Sequence, residues 1–338
     1  MKKTNLIISA TPSLEELDGA SPLASQAEQR PLVFAAAQHG MRLDRALVDL
    51  VPEFSRNYLQ QLIEAGSVLL NGRAIGKPSH KVKVSDVGMI ELRPTPQSQA
   101  FKAESMALDV VFADAHVLVI NKPAGLVVHP APGNWSGTLM NGLLGYDAQA
   151  FDLPRAGIVH RLDKDTSGLM VVARSRAVMD ALVRAIAARE VKRQYLAIGQ
   201  GAWLSAPQCT VDAAIGRDPA NRLRMAAVDL NLHPGKTART DFALLSNGTQ
   251  ACLVHCSLHT GRTHQIRVHM AQLKHPLLGD ALYGGAMGLG MDRQALHACR
   301  LAFAHPVSGQ PLSFSAPLPA DFSAALSALG LKYNQNHI

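Results

Sequence analysis

The chain has little cysteine and no long apolar run. Four thiols, Cys209, Cys252, Cys256 and Cys299, are scattered over 338 residues. That is too sparse for a disulfide framework and points to a reducing compartment. No stretch approaches the ~20 apolar residues of a membrane-spanning helix. The short apolar run Leu6 to Ala10 behind Met1-Lys2-Lys3 is no leader core, because Glu15, Glu16 and Asp18 follow it. A cytoplasmic protein with no membrane partner is expected. Neither a GxGxxG nor a Walker-type loop occurs, which argues against dinucleotide and P-loop phosphoryl chemistry. There is no paired CxxC, and the H-x-E and P-C-x-x-C strings of zinc base deaminases are both missing. No internal repeat is visible.

What is present is a core-forming, basic chain. Apolar residues make up 47% of it, enough for a sizeable core and against global disorder. Lys and Arg number 33 against 26 Asp and Glu, a net charge of +7 that favours an anionic partner without identifying one. The length allows two or three domains.

Residues 1–38 lead in with a segment whose first 30 residues lack aromatics and are rich in Ser, Ala, Glu and Gln; they read as a mobile tail. Residues 39–93 read as a small domain. Leu43, Ala46, Leu47 and Leu50 fall at helical spacing, and Ser55 can cap a second helix carrying Leu59, Leu62 and Ile63 that Gly66 ends. Val68-Leu-Leu-Asn71-Gly72 reads as a strand entering a tight turn, and Val82 and Val84 alternate with Lys81 and Lys83 as in a half-buried strand. Arg42, Arg45, Arg56, Arg73, Lys77, Lys81 and Lys83 punctuate this unit; taken alone, that charge also fits an ordinary solvated surface. Residues 94–104, with Pro94 and Pro96, read as a linker.

A larger domain over residues 105–328 follows, with residues 329–338 as a tail. Val110 to Phe112, Val117 to Ile120, Leu126 to Val128 and Val191 to Ile198 read as strands, as do runs in 207–215, 239–245 and 251–258. Asn121-Lys122-Pro123-Ala124-Gly125 is a turn by composition. Ser175 can cap a helix with Val178, Met179, Leu182, Val183 and Ile186 on one face, and Thr263 can cap another through Ile266, Met270 and Leu273. Coil rich in Pro and Gly runs from Pro276 to Gly290. The mixture implies an α+β domain on an antiparallel or mixed sheet.

The centre of the chain is Gly157-Ile-Val-His160-Arg161-Leu162-Asp163-Lys164-Asp165-Thr166-Ser167-Gly168. Apolar runs flank it, so a segment holding His, Arg, two Asp, Lys, Thr and Ser sits between two buried strands, a place suited to binding or catalysis. A plain hairpin turn built by Asp and Thr-Ser-Gly is the simpler reading of the same residues. Five histidines crowd the stretch from His255 to His275, beside Cys252 and Cys256. The two cysteines alternate as strand residues do, so no metal is expected.

Taken whole, His160-Arg161-Leu162-Asp163 with Thr166-Ser167-Gly168 resembles the signature of the RluA family of RNA pseudouridine synthases. Asn121-Lys122-Pro123 and Thr260-Gly261-Arg262-Thr263-His264-Gln265-Ile266-Arg267 resemble two further motifs of that family. Arg42-Leu-Asp44-Arg45, Ser55-Arg56, Gly66-Ser-Val68 and Asn71-Gly72 resemble an S4 RNA-binding domain. The resemblance covers about residues 40–323. It implies the pseudouridine synthase fold, with a cleft across the sheet, preceded by an S4 domain. It implies an isomerase that needs no cofactor and converts specific uridines of RNA to pseudouridine. Asp163 would be the catalytic carboxylate, either attacking C1′ or removing the C2′ proton. Arg267 would pair with it, Ile266 would pack under the base, and Tyr195 would stack on uracil and assist the final C5 deprotonation. Arg161 would fill the space left by the flipped base, a step that costs about a few kcal/mol. The seven basic residues of the S4 unit would hold RNA phosphates, which positions RNA without reading sequence. The S4-bearing branch implies large-subunit ribosomal RNA as partner, acted on by a monomer. Transfer RNA as the target, or a non-catalytic RNA-binding or ribosome-assembly role on the same fold, are the rival readings.

Overall fold

The computed structural model describes residues 28–92 and 101–334, apart from 132, 222 and 289. The leading 27 residues and most of the linker reading therefore lie outside the described residues. The chain divides into two compact units, Met1–Thr95 and Pro96–Ile338.

In the first unit, strand β1 (Glu28–Val33) precedes helices α1 (Leu43–Leu50) and α2 (Arg56–Glu64), then β2 (Val68–Leu70), β3 (Arg73–Ala74) and β4 (Val87–Leu92). The strands form one sheet in the order β1-β4-β2-β3. Leu43, Ala46 and Leu47 of α1 and Leu59, Leu62 and Ile63 of α2 are buried against Val68, Leu70 and Ile90 of the sheet. Each buried Leu, Ile or Val among them contributes ~1.5–3 kcal/mol. Ser55 caps α2 by accepting from Tyr58 N–H at 3.3 Å. Two sequence readings are corrected here. Residues 28–33, read as part of a tail, pair as β1 along the whole of β4. Residues 81–84 are not a strand: Val82 is buried but Val84 is about half exposed, and Asp86 Oδ2 accepts from Lys83 N–H at 2.7 Å to close a turn.

The second unit is built on a nine-stranded sheet. Its strands are β5 (Val110–Ala113), β6 (Val117–Lys122), β7 (Ser167–Ala173), β8 (Lys192–Gln200), β9 (Gln208–Asp212), β13 (Arg239–Asn247), β14 (Ala251–Leu258), β15 (Leu296–Ala304) and β16 (Pro311–Ser315). Three short strands, β10 (Ile215–Arg217), β11 (Met225–Ala227) and β12 (Gly235–Lys236), make a separate small sheet. The main order is β5-β6-β7-β15-β8-β14-β13-β9, with β16 on β15. β7 and β15 run parallel and every other pair is antiparallel, so the sheet is mixed.

Every residue of β7 is buried, as expected of a strand covered on both faces. Met170 and Val172 point into one apolar layer with α3 (Leu139–Tyr146) and α5 (Gln265–Gln272). Leu169 and Val171 enter the opposite layer with Val178 and Leu182 of α4 (Arg176–Ala187). Helix α6 (Ala320–Ala328) covers Leu196, Ile198 and Leu253 through Phe322 and Leu326. Gly168 is required where β7 meets β15: its φ is +115°, and a Cβ there would stand 2.2 Å from Ala298 O.

Two more readings fail in this unit. Leu126 to Val128 pair with no strand; Val127 O and Val128 O instead accept from Leu139 and Met140 N–H at the start of α3. Thr263 does not cap α5, whose N-cap is His264 in the left-handed region at φ +56°. Ser175 does cap α4, accepting from Val178 N–H at 3.4 Å. Among the described residues no helix is long and apolar enough to cross a membrane.

Candidate active site

Asp163 sits on the loop that feeds β7, and nearly every residue after it is tied down. Thr166 N–H donates to Asp163 O at 3.1 Å and closes a turn. Lys122 Nζ donates to Lys164 O at 2.9 Å, and also to Pro123 O at 2.7 Å and Leu126 O at 3.0 Å. Three carbonyls match the three donors of an ammonium. Lys122 is buried, and burial pulls its pKa down to about 7, with Asp165 and then Asp163 opposing and Arg293 adding to the fall. Arg293 Nη1 donates to Asp165 O at 3.0 Å while its other nitrogens grip Asp321. Gln294 Nε2 donates to Thr166 Oγ1 at 3.1 Å, and Ser167 Oγ lies 2.9 Å from His297 Nδ1. The carboxylate is thus mounted on a loop anchored from β6, the segment before β15, and β15 itself. Such anchoring limits the reorganisation a reacting group must undergo.

Helix α5 supplies the counter-charge. Arg267 Nη1 donates to Asp163 Oδ2 at 3.1 Å. The same guanidinium holds Asp280 in a fork, Nε to Oδ2 at 2.7 Å and Nη2 to Oδ1 at 2.9 Å. Its centre lies 5.0 Å over the Tyr283 ring. Burial alone would lower the Arg267 pKa, but Asp280 and Asp163 outweigh it and leave the group more firmly charged than usual. His264 Nε2 stands 3.9 Å from Asp163 Oδ2, and its Nδ1 is 2.9 Å from Tyr283 Oη. Tyr283 Oη also accepts from Met225 N–H at 3.0 Å. Burial depresses the His264 pKa despite Asp163, so the ring is neutral. No described residue donates to Asp163 Oδ1, which leaves one carboxylate oxygen uncommitted.

These groups open onto a cleft of about 890 Å³ whose lining includes Arg161, Asp163, Tyr195, Ile266 and Arg267. The five positions singled out in the sequence are therefore brought together, although they span 107 residues of chain from Arg161 to Arg267. Arg161 is exposed and Ile266 is buried. Tyr195 is 5% exposed, and burial pushes its hydroxyl up to about 12, against the pull of Arg193. It is a neutral phenol at pH 7. His160 and His129 also line the cleft. Burial depresses both, to about 3 and about 4, and the charges of nearby arginines add to it.

Sequence reading missed Asp280, Tyr283, Lys122 and Arg293 as contributors. The signal for the first two was faint: one Asp and one Tyr inside the Gly-rich segment after Pro276. The crowded histidines serve separate partners. His269 is held by Thr240 Oγ1 and Ala213 O, His275 by Gln200 O, and His259 by Asp241.

In the first unit, Arg45, Arg73, Lys77, Lys81 and Lys83 are exposed. Arg42 and Arg56 are committed differently. Both donate to the fully buried carboxylate of Asp44, at 3.0 and 2.7 Å, and Gln60 adds a third contact at 2.6 Å. Burial of Asp44 would favour its neutral form, but these donors outweigh it and hold the group well below the usual carboxylate range. Part of the positive charge counted in this unit is thereby neutralised.

The RNA pseudouridylate synthase family matches residues 116–272, and the S4 domain family matches residues 41–87. The chain is 45% identical to a ribosomal large subunit pseudouridine synthase D of Neisseria meningitidis serogroup B, covering 91% of this chain and 84% of that protein. It is 46% identical to the protein of that name from Xanthomonas campestris pv. campestris, over 91% of this chain and 94% of the relative. Among solved structures, human RNA pseudouridylate synthase domain containing 1 matches with a TM-score of 0.51 at 28% identity, covering 64% of this chain and 87% of that one.

Proposed function

Because this chain belongs to the RNA pseudouridylate synthases and carries an S4 domain, we propose that it isomerises uridines of large-subunit ribosomal RNA to pseudouridine with Asp163 as the catalytic carboxylate. The observation that carries the assignment of Asp163 is its pairing with Arg267 Nη1 at 3.1 Å at the floor of the cleft.

The reaction breaks the N1–C1′ bond of uridine and forms a C5–C1′ bond. N1 gains a proton and C5 loses one, so no redox group or external donor is consumed. A carboxylate can serve it by attacking C1′ or by taking the C2′ proton. Either route needs a charged carboxylate in a site partly shielded from water. A guanidinium suits that need, since it stays charged. Asp280 takes the Arg267 fork from behind and leaves Nη1 for Asp163, so the cation is preorganised before RNA arrives. Ile266 and the Tyr195 ring give apolar surface for the flipped base. A phenol near 12 is a poor resting base, so Tyr195 is read as a stacking platform and hydroxyl donor, not as the group that first strips C5. Arg161, exposed beside Asp163, is read as the side chain that fills the vacated stack. The exposed Arg45, Arg73, Lys77, Lys81 and Lys83 are read as phosphate contacts, with Arg42 and Arg56 bracing Asp44.

The large-subunit target is supported by the names of the relatives matched over most of the chain. We further read the enzyme as a cytoplasmic monomer; light scattering at one chain mass tests the latter. The test of function is tritium release from large-subunit ribosomal RNA transcribed with 5-tritiated uridine. Release is expected, with pseudouridine at the released positions. Binding without release would leave only a non-catalytic RNA-binding role.

A further inference from the structure

One wall of the cleft holds a cation that no described residue balances. Arg193, near the start of β8, is 7% exposed and lines the cleft. No described residue gives its guanidinium a hydrogen bond or an ion pair, and Nε is sealed from solvent with no acceptor. This contrasts with Arg267 and Arg293, each forked onto a carboxylate. A desolvated guanidinium without a counter-ion is costly, and a protein holds one where a ligand supplies the missing charge.

A second feature comes from the facing loop. A Cβ built on Gly261 would come within 2.7 Å of Arg193 Nη1. The backbone of Gly261 is not in the left-handed region, so its conformation does not call for glycine. The close approach of the guanidinium does. The cleft is lined by further cations, Arg155, Arg161, Arg189 and Arg262, and two buried groups that feel Arg193 are neutral: burial first, and Arg193 second, hold His160 near 3, and Tyr195 is a phenol.

We propose that Arg193, seated against Gly261, is a subsite for one phosphodiester of the RNA backbone beside the target uridine. The inference rests on the RNA isomerase reading above. A phosphodiester offers two oxygens and one full negative charge to a planar fork, which meets both deficits at once. A uracil carbonyl meets the hydrogen-bond deficit only.

The test uses the full-length chain as wild type, Arg193→Met, Gly261→Ala and Asp163→Asn, with unmodified large-subunit ribosomal RNA transcript as the probe. Affinity is measured across salt concentrations, and phosphate-ethylation interference maps which phosphates matter. Arg193→Met is expected to lower the slope of log affinity against log salt by about 0.7–0.9, the share of one phosphate. One ethylated phosphate near the modified uridine should then cease to interfere. Gly261→Ala, which keeps the charge but displaces the guanidinium, is expected to lose the same phosphate. Melting of free Arg193→Met should hold or rise, because an uncompensated cation has gone. Unchanged slope and interference pattern in both variants overturn the proposal. So does a lost rate with unaltered affinity, which puts Arg193 on the base. Failure of Arg193→Met to fold contradicts the unpaired state, and Gly261→Ala then reads the phosphate independently. Asp163→Asn separates the two claims: if it turns over normally, the catalytic reading fails while the binding data still decide the subsite.

Discussion

Replacing Arg267 with Met keeps most of the apolar stem and removes the charge from the centre of the site. Two carboxylates lose their partner, and they do so with different consequences. Asp163 is 17% exposed on its side chain and sits 3.1 Å from Arg267 Nη1. At an effective dielectric near 20, a pair at that distance is worth about 5 kcal/mol before screening and desolvation are returned. Loss of about 3–4 kcal/mol from the chemical step is expected, a fall of two to three decades at ~1.4 kcal/mol per decade. Asp280 is 1% exposed and loses its whole fork. Stranding a buried carboxylate costs about 3–5 kcal/mol, or roughly 10 °C in the melting of a unit this size. Adding Asp280→Leu removes the stranded charge. The double variant is therefore expected to regain stability without regaining rate. The assay is single-turnover tritium release at saturating RNA, with melting followed on the same samples. An Arg267→Met rate within about threefold of wild type refutes the pairing argument, as does a double variant that recovers the rate.

Other outcomes follow from buried groups and from surface charge. Asp44→Asn should lower the stability of the first unit by about 1–3 kcal/mol in urea denaturation, because a buried carboxylate accepting charge-assisted hydrogen bonds becomes a neutral amide while the half-exposed arginines resolvate; an unchanged midpoint would contradict the brace. The sign of its pH dependence is that of a depressed carboxylate: the contribution is present above the ordinary carboxylate range and lost as acid protonates the group. His297 is fully buried and held neutral, its pKa pushed down to about 4 chiefly by burial. The unfolded ring takes a proton near 6.5 and the folded one refuses it, so stability is lost as pH falls below that value, by about 2 kcal/mol at pH 5 from this ring. Urea midpoints at pH 7 and pH 5 should converge in His297→Phe relative to wild type. Arg73→Gln, Lys81→Gln and Lys83→Gln together should lower the salt slope of RNA binding by up to ~2–3, since each lost phosphate contact removes ~0.7–0.9; an unaltered slope would make these residues ordinary surface.

How much of this was legible in the sequence depended on whether a signal was contiguous. Asp163 headed an unbroken polar run to Ser167 between apolar stretches, and the caps Ser55 and Ser175 stood directly before their helices. Arg267 was reached through a local motif on its own helix. Asp280 was not, because its partnership with Arg267 is made through space by a turn with no periodicity. Lys122 looked like a turn residue, since its bond to Lys164 O crosses 42 positions of chain. Strand β1 carries one buried side chain, Leu32, between an exposed Pro31 and an exposed Val33 and after the polar Glu28-Gln29-Arg30, so no alternation marked it. The reverse error arose at residues 81–84, where alternation was present but only Val82 faces the core. At 126–128 the apolar run serves the start of α3 instead of a strand. A count of charges does not show that Arg42 and Arg56 both reach the buried Asp44, because that pairing is made through space.

The central claim is that the Asp163 carboxylate acts on the sugar while the rest of the site only binds and orients. The most direct measurement is the single-turnover rate of full-length Asp163→Asn on saturating large-subunit ribosomal RNA, with affinity measured in parallel. Turnover is expected to fall by at least three decades, ~4 kcal/mol or more on the barrier, with RNA affinity within a few-fold of wild type. A rate within tenfold of wild type, at equal affinity, would contradict it.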